Sequence, residues 1–285
     1  LKDSKSDSYA KKKPISLRLI RTGLWLGLLS TVLPFGIGVL SAKGLGGTQV
    51  YQSFVYTFLH LQYNGWFLFV VLGLLFNYFD ENNISYSYKR ANLFFLFLAL
   101  AVIPSITLSL LGMDFSSYIV IPAYLSVFLL TGALVLFLFT VPCKLLLSLK
   151  HKGQWLKLYF YAFLMSFILK IVLQCLSVFP CLETFVFSNK FIIIAYLHLS
   201  LIGSISFPLL ALSITKNWLP INTFVKIGSI LLLSGFGITE LIMVSSGLGK
   251  YHNQMLLITG SAAMALGIFL MLIGSWLNGK VYGAV

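Results

Sequence analysis

Eight apolar runs, each long enough to cross a lipid bilayer, occupy most of the chain and leave room for only one kind of fold. They fall near 17–41, 51–79, 91–112, 117–147, 155–179, 190–215, 224–247 and 254–278. A hydrocarbon core about 30 Å thick takes about 20 residues of helix. In lipid no water meets the backbone, so a run satisfies its own N–H and C=O groups, which the α-helix does and an isolated strand does not. The expected fold is all-α, a polytopic transmembrane bundle of about eight spanning helices. Composition agrees, with 59% hydrophobic and 9% charged residues against about 25% charged in a soluble domain. The connections are too short for a soluble domain, so function lies within the bundle or at its rims.

The net charge of +13 is distributed as a topology signal rather than as a nucleic-acid footprint. The basic residues sit between apolar runs and form no stripe with interleaved aromatics, so nucleic acid is not an expected partner. With the N-terminus inside, the cytoplasmic side carries Lys2, Lys5, Lys11, Lys12, Lys13, Arg18, Arg21, Lys89, Arg90, Lys144, Lys150, Lys152, Lys157, Lys216, Lys226 and Lys280. The other side carries Lys43, Lys190 and Lys250. This asymmetry predicts N-in and C-in, with Trp155, Trp218 and Trp276 near the cytoplasmic interface. Pro34, Pro104, Pro122, Pro142 and Pro208 lie inside the runs, where a bundle tolerates them. Cys143, Cys175 and Cys181 have no CxxC spacing, so no zinc or thioredoxin-like site is indicated; Cys175 and Cys181 pair only if both face an oxidising compartment.

Four ionisable side chains fall well inside the runs: His60, Lys170, His198 and Glu240. Each costs about 2.5 kcal/mol or more in hydrocarbon, which makes it a functional candidate. Counting about 1.5 Å per residue from the outer helix ends puts all four roughly 10–14 Å deep. A shared depth on four different runs points to a common site. The two histidines have matching surroundings. Phe58-Leu59-His60-Leu61 is followed by Gly65, Phe69 and Leu72, and Tyr196-Leu197-His198-Leu199 by Gly203, Phe207 and Leu210. The offset of 138 residues spans four helices and predicts two four-helix halves. Asn64, four residues beyond His60, shares its helix face.

Neutral imidazole ligates iron and copper, and paired transmembrane histidines suit a haem held between helices. The same residues also serve as interhelical glue when each ring bonds a carbonyl or hydroxyl. Glu240 has three readings: proton carrier, orienting partner of a ligating imidazole, or ion-pair partner of Lys170. His151 and His252 fall in polar loops and read as solvated. Phe, at 25 residues, provides walls for a flat cofactor but more simply packs helices and lipid.

The segments Tyr56-Thr57-Phe58-Leu59-His60-Leu61-Gln62-Tyr63-Asn64-Gly65-Trp66 and Ala195-Tyr196-Leu197-His198-Leu199, with Ala42-Lys43-Gly44-Leu45 before the first, resemble bacterial membrane proteins of the cytochrome c oxidase subunit I-like, or haem-copper oxidase, superfamily. That fold has twelve helices in three arcs of four. The resemblance implies that this chain corresponds to the second and third arcs, N-terminally truncated; it starts at Leu1 with no Met. It implies a copper-ligand position at His60 and a haem-ligand position at His198. The seventh-helix position, here 91–112, lacks the family's His-His pair, so a complete copper site and oxygen reduction are not expected.

The expectation is a bacterial inner-membrane, multi-pass protein with a basic polar segment at 1–16, a first four-helix arc at 17–147 and a second at 148–285. It binds haem b or a metal through His198 and His60, with Asn64 beside the site and Glu240 and Lys170 as polar neighbours. Its partners are membrane lipid and respiratory-chain subunits. A proton-coupled transporter of a small solute is the alternative, and a subunit whose histidines only pack is the third reading.

Overall fold

The computed structural model describes residues 14–113 and 117–282; the lysines expected at 2–13 lie outside the described residues. Every described element is helical. The first run is α1 (Ile15–Ser30) and α2 (Leu33–Ala42), parted just ahead of Pro34. The second is α3 (Gln49–His60), a π-helical segment Leu61–Phe67 and α4 (Leu68–Glu81). The third is α5 (Tyr88–Val102) followed by a 3-10 segment Pro104–Ser109, and the fourth is α6 (Val120–Thr140) and α7 (Pro142–Ser148). Then come α8 (Gln154–Leu176), a short α9 (Pro180–Phe187), α10 (Lys190–His198), a second π-helical segment Leu199–Ser206, α11 (Phe207–Thr215), α12 (Thr223–Gly247) and α13 (Gln254–Tyr282).

Among the described residues seven helices are long and apolar enough to cross a membrane. The run at 91–112 is the exception. Pro104 has no N–H to continue the α ladder, so the α-helix stops after 15 residues and a 3-10 segment of six carries on. At about 1.5 and 2.0 Å per residue the two pieces together still extend about 34 Å.

The helix starts are set by side chains that replace missing backbone acceptors. Thr48 Oγ1 accepts from Tyr51 N–H, Ser87 Oγ from Arg90 N–H, Asn189 Oδ1 from Phe191 N–H and Asn222 Oδ1 from Val225 N–H. The second and sixth runs both end on an asparagine with positive φ, Asn83 at 52° and Asn217 at 57°. Asparagine tolerates this left-handed conformation better than most residues.

The described residues divide into two compact units, one within Leu1–Leu110 and Ser116–Leu145, the other within Leu111–Phe115 and Leu146–Val285. In the first unit α1 packs along the second run. A Cβ on Gly23 would sit 3.0 Å from the Trp66 carbonyl oxygen, and one on Gly73 2.9 Å from that of Ser16. At the end of this contact Asp80 accepts hydrogen bonds from Ser16 Oγ at 3.2 Å and Tyr86 Oη at 2.8 Å. Arg18 donates to Asn92 and lies over the Phe95 ring. The core is aromatic, with Phe69, Phe76, Phe79, Phe94 and Phe137 fully buried.

In the second unit α8 packs against the sixth run, and Tyr159 donates to Ser229 Oγ at 2.9 Å. α12 and α13 meet through glycines spaced by seven. A Cβ on Gly228 or Gly235 would come within 2.5 Å of the carbonyl oxygen of Gly267 or Gly260. With no hydrophobic drive between helices in lipid, such close backbone approach is a main source of association.

Candidate functional site

The sequence repeat reappears as a repeat of backbone geometry. His60 is the last residue of α3 and His198 the last of α10, and each is followed at once by a π-helical segment. A π-turn inserts one residue into an α-helix and is found most often where a side chain needs a particular aim. It also changes the face presented by the residues that follow, which the simple 3.6-residue count of the sequence does not anticipate.

In the first unit His60 is sealed. Its side chain is fully buried and both ring nitrogens are engaged. Ser105 Oγ donates to the Val102 carbonyl at 3.0 Å, which leaves a lone pair to accept Nε2–H of His60 at 3.0 Å. The network therefore assigns the Nε2–H tautomer. Nδ1 is then an acceptor, within 3.2 Å of Asn64 Nδ2 and 3.1 Å of Ser109 Oγ. Ser109 is in turn hydrogen-bonded to Tyr63. This is the glue arrangement: with Nδ1 occupied by two donors and Nε2 carrying the proton, neither nitrogen offers a free lone pair to iron or copper.

In the second unit His198 is open. Its side chain keeps 32% of its surface, and Nδ1 stands 3.7 Å from Oε1 of Glu240, itself 18% exposed. That is ion-pair distance but beyond a hydrogen bond, and neither atom has a hydrogen-bond partner among the described residues. Nε2 makes no hydrogen bond to any described residue.

Comparing the two units position by position explains the contrast. Ser105 lies eighteen residues beyond the helix cap Ser87, and Glu240 eighteen beyond the cap Asn222. The residue facing the histidine from the following run is thus Ser in one unit and Glu in the other. By the same count Ser109 corresponds to Val244, and Asn64 corresponds to Ile202, four residues beyond its histidine. His198 occupies the scaffold position of His60 with the three polar partners exchanged for one carboxylate and two aliphatic chains.

Lys170, for which an ion pair with Glu240 is one reading of the sequence, lies elsewhere in the second unit. It is 1% exposed and donates from Nζ to Gln174 Oε1 at 3.3 Å. Tyr196 Oη donates to the same oxygen at 3.3 Å, and the ammonium is 5.9 Å from the Tyr196 ring centroid. Tyr196 and His198 are two residues apart, about 200° around the helix. The α10 helix therefore carries two polar clusters on opposite sides, Lys170–Gln174–Tyr196 toward α8 and His198–Glu240 toward α12. His151 is exposed in its loop. His252 Nδ1 is 3.0 Å from Ser246 Oγ, with its ring on Phe191.

Among the described residues no group of three or more His, Cys, Asp or Glu is placed to hold a metal ion. A bare ion needs three or four protein donors, whereas haem iron brings four of its own and needs one or two. His198, with Nδ1 turned to a carboxylate and Nε2 free of hydrogen bonds, fits that smaller demand; His60 in its present bonding does not.

Ser105, Ser109, Gln174 and Tyr196 belong to these clusters and are not among the residues expected from sequence. A signal exists for two of them: Gln174 is four residues from Lys170, on its helix face, and Ser105 follows Pro104, where a helix changes pitch. No family model matches the chain, and no curated protein or solved structure is found similar to it.

Proposed function

We propose that this is a multi-pass membrane protein of eight spans, both termini cytoplasmic, in a bacterial inner membrane, which holds a haem through His198 and takes part in respiratory redox chemistry without reducing oxygen. The observation that carries the reading is the pairing of His198 Nδ1 with the Glu240 carboxylate at 3.7 Å. A carboxylate on one ring nitrogen fixes the imidazole's orientation and raises the basicity of the other, the usual outer-sphere support of a ligating histidine. The similarity of the segments around His60 and His198 to the oxidase subunit I-like superfamily points the same way, and the loop charges support the orientation.

In this reading His198 Nε2 would hold the haem, preferably haem b, Glu240 would position the ring, and His60 holds the second run against the 3-10 segment instead of ligating. A haem there supplies one-electron chemistry. The protein's share is to aim the imidazole and to keep the surroundings dry, which the apolar Ile202 and Val244 favour. Copper has no place in the proposal, because the third run offers Ser105 and Ser109 where a copper site needs histidines.

The test is a reduced-minus-oxidised optical spectrum with metal analysis on purified full-length protein made with ample haem supply. A haem signal is expected in the wild type, lost in His198→Ala and kept in His60→Gln. Folded wild-type protein with neither haem nor metal, or a signal that survives His198→Ala, defeats the proposal.

A second reading, proton-coupled transport of a small solute, draws on the same pair, since an acid and a base without hydrogen-bond partners inside a bundle are suited to exchange protons. It requires proton-dependent uptake in proteoliposomes that Glu240→Gln abolishes.

A further inference from the structure

The loop between α7 and α8 joins two membrane-crossing helices, Val120–Ser148 and Gln154–Leu176, so its residues 149–153 lie where spanning helices meet the lipid headgroups. It is a tight, ordered turn. Lys150 N–H donates to the Leu147 carbonyl, Lys152 N–H to that of Leu149 and Lys157 Nζ to that of Lys150. Lys150, His151 and Lys152 are exposed, Lys157 is partly exposed, and Leu147 beside them keeps 63% of its surface.

The charge on this turn has no counterweight among the described residues. The chain contains no Asp or Glu between Asp114 and Glu183, and none of the three lysines has an ion-pair partner among the described residues. The basic turn of the first unit is different: Lys89 and Arg90 follow closely on Asp80 and Glu81. The first turn of α8 adds further donors without acceptors. Its cap, Gly153, has no side chain to receive the leading N–H groups. Three ammonium groups and the leading N–H groups of α8, beside exposed leucine at headgroup depth, match one class of partner.

We propose that the turn Lys150–Lys157 is a binding site for the phosphate headgroup of an anionic phospholipid. The lysines and the leading N–H groups of α8 take the phosphate, and Leu147 lies along the acyl chain. Juxtamembrane lysines each strengthen contact with anionic lipid by about fivefold, so three acting together discriminate strongly against zwitterionic lipid.

The test is native mass spectrometry of the full chain released from detergent with equimolar phosphatidylglycerol and phosphatidylcholine. The wild type is expected to retain phosphatidylglycerol more than tenfold over phosphatidylcholine. The triple variant Lys150→Gln/Lys152→Gln/Lys157→Gln should fall toward parity, while Lys250→Gln, in the connection between α12 and α13, keeps the preference. Soluble glycerol phosphate at millimolar concentration should displace none of the bound lipid. Parity in the wild type, an unchanged preference in the triple variant, or displacement of the lipid by glycerol phosphate overturns the proposal. Unchanged helical circular dichroism in the triple variant shows that a lost preference is not lost folding.

Discussion

His60 and His198 occupy one scaffold position with opposite surroundings, so replacing each by leucine should have unequal consequences for stability. His60→Leu removes hydrogen bonds to Ser105, Ser109 and Asn64 while nearly keeping volume. Side-chain hydrogen bonds between membrane helices average about 0.6 kcal/mol each, so three losses come to about 2 kcal/mol. The upper bound is not much higher. Ser105 keeps its bond to Val102 and Ser109 keeps Tyr63, so the full penalty of an orphaned polar group does not fall on either serine. His198→Leu removes no hydrogen bond, only the 3.7 Å approach to Glu240, and adds apolar surface to a partly exposed position; its cost should stay under about 1 kcal/mol, the usual ceiling for a partly exposed pair. Equilibrium unfolding in mixed micelles, titrated with sodium dodecyl sulfate and followed by circular dichroism on cofactor-free protein, measures both. A neutral His60→Leu, or a His198→Leu as damaging as it, would refute the distinction between a sealed and an open histidine.

Further outcomes follow from other contacts. The double variant Ile202→Asn/Glu240→Ser gives His198 two of the three partners of His60 and should gain about 1 kcal/mol from two new bonds while lowering haem content, read by the same unfolding titration and by the optical spectrum. Gly235→Ala drives a Cβ against the Gly260 carbonyl oxygen and should cost about 1–3 kcal/mol by overpacking; Gly237→Ala, with nothing within 4 Å, should be neutral or slightly stabilising in the same assay. The Tyr86 hydroxyl is pushed well above the ordinary tyrosine range by burial, with its hydrogen bond to Asp80 adding to the effect. The folded state therefore holds this proton more tightly than the unfolded one, so its contribution to stability is complete below about pH 10 and is lost as pH rises further. Tyr86→Phe should flatten that alkaline decline, as followed by unfolding titrations across the range.

The bundle was legible in the sequence because lipid imposes a coarse rule. A run of twenty apolar residues is helical whatever its details, and seven runs meet that rule outright. The third run is composed like the rest, yet Pro104 divides it into α and 3-10 pieces, a break that hydropathy does not register. The histidine repeat was legible too, since His, Gly and Phe recur at one offset. Its meaning was not, because the partners come from another run. Ser105 and Glu240 look unrelated until the caps Ser87 and Asn222 are aligned. Depth alone grouped Lys170 with Glu240; the helix angle between Tyr196 and His198 puts them in separate clusters. The π-turns had no visible signature, since inserting one residue into an apolar run leaves composition and length almost unchanged.

Those π-turns also carry a chronology. An inserted residue is a discrete event, and it stands directly behind the histidine in both halves of the chain. If the halves descend from one ancestral segment, the insertion and the histidine were already present when that segment was copied. The difference between Ser105 and Glu240 and that between Asn64 and Ile202 then belong to the time after copying. Between the copies the histidine's neighbours then diverged, to three hydrogen-bond partners in one and a single carboxylate in the other.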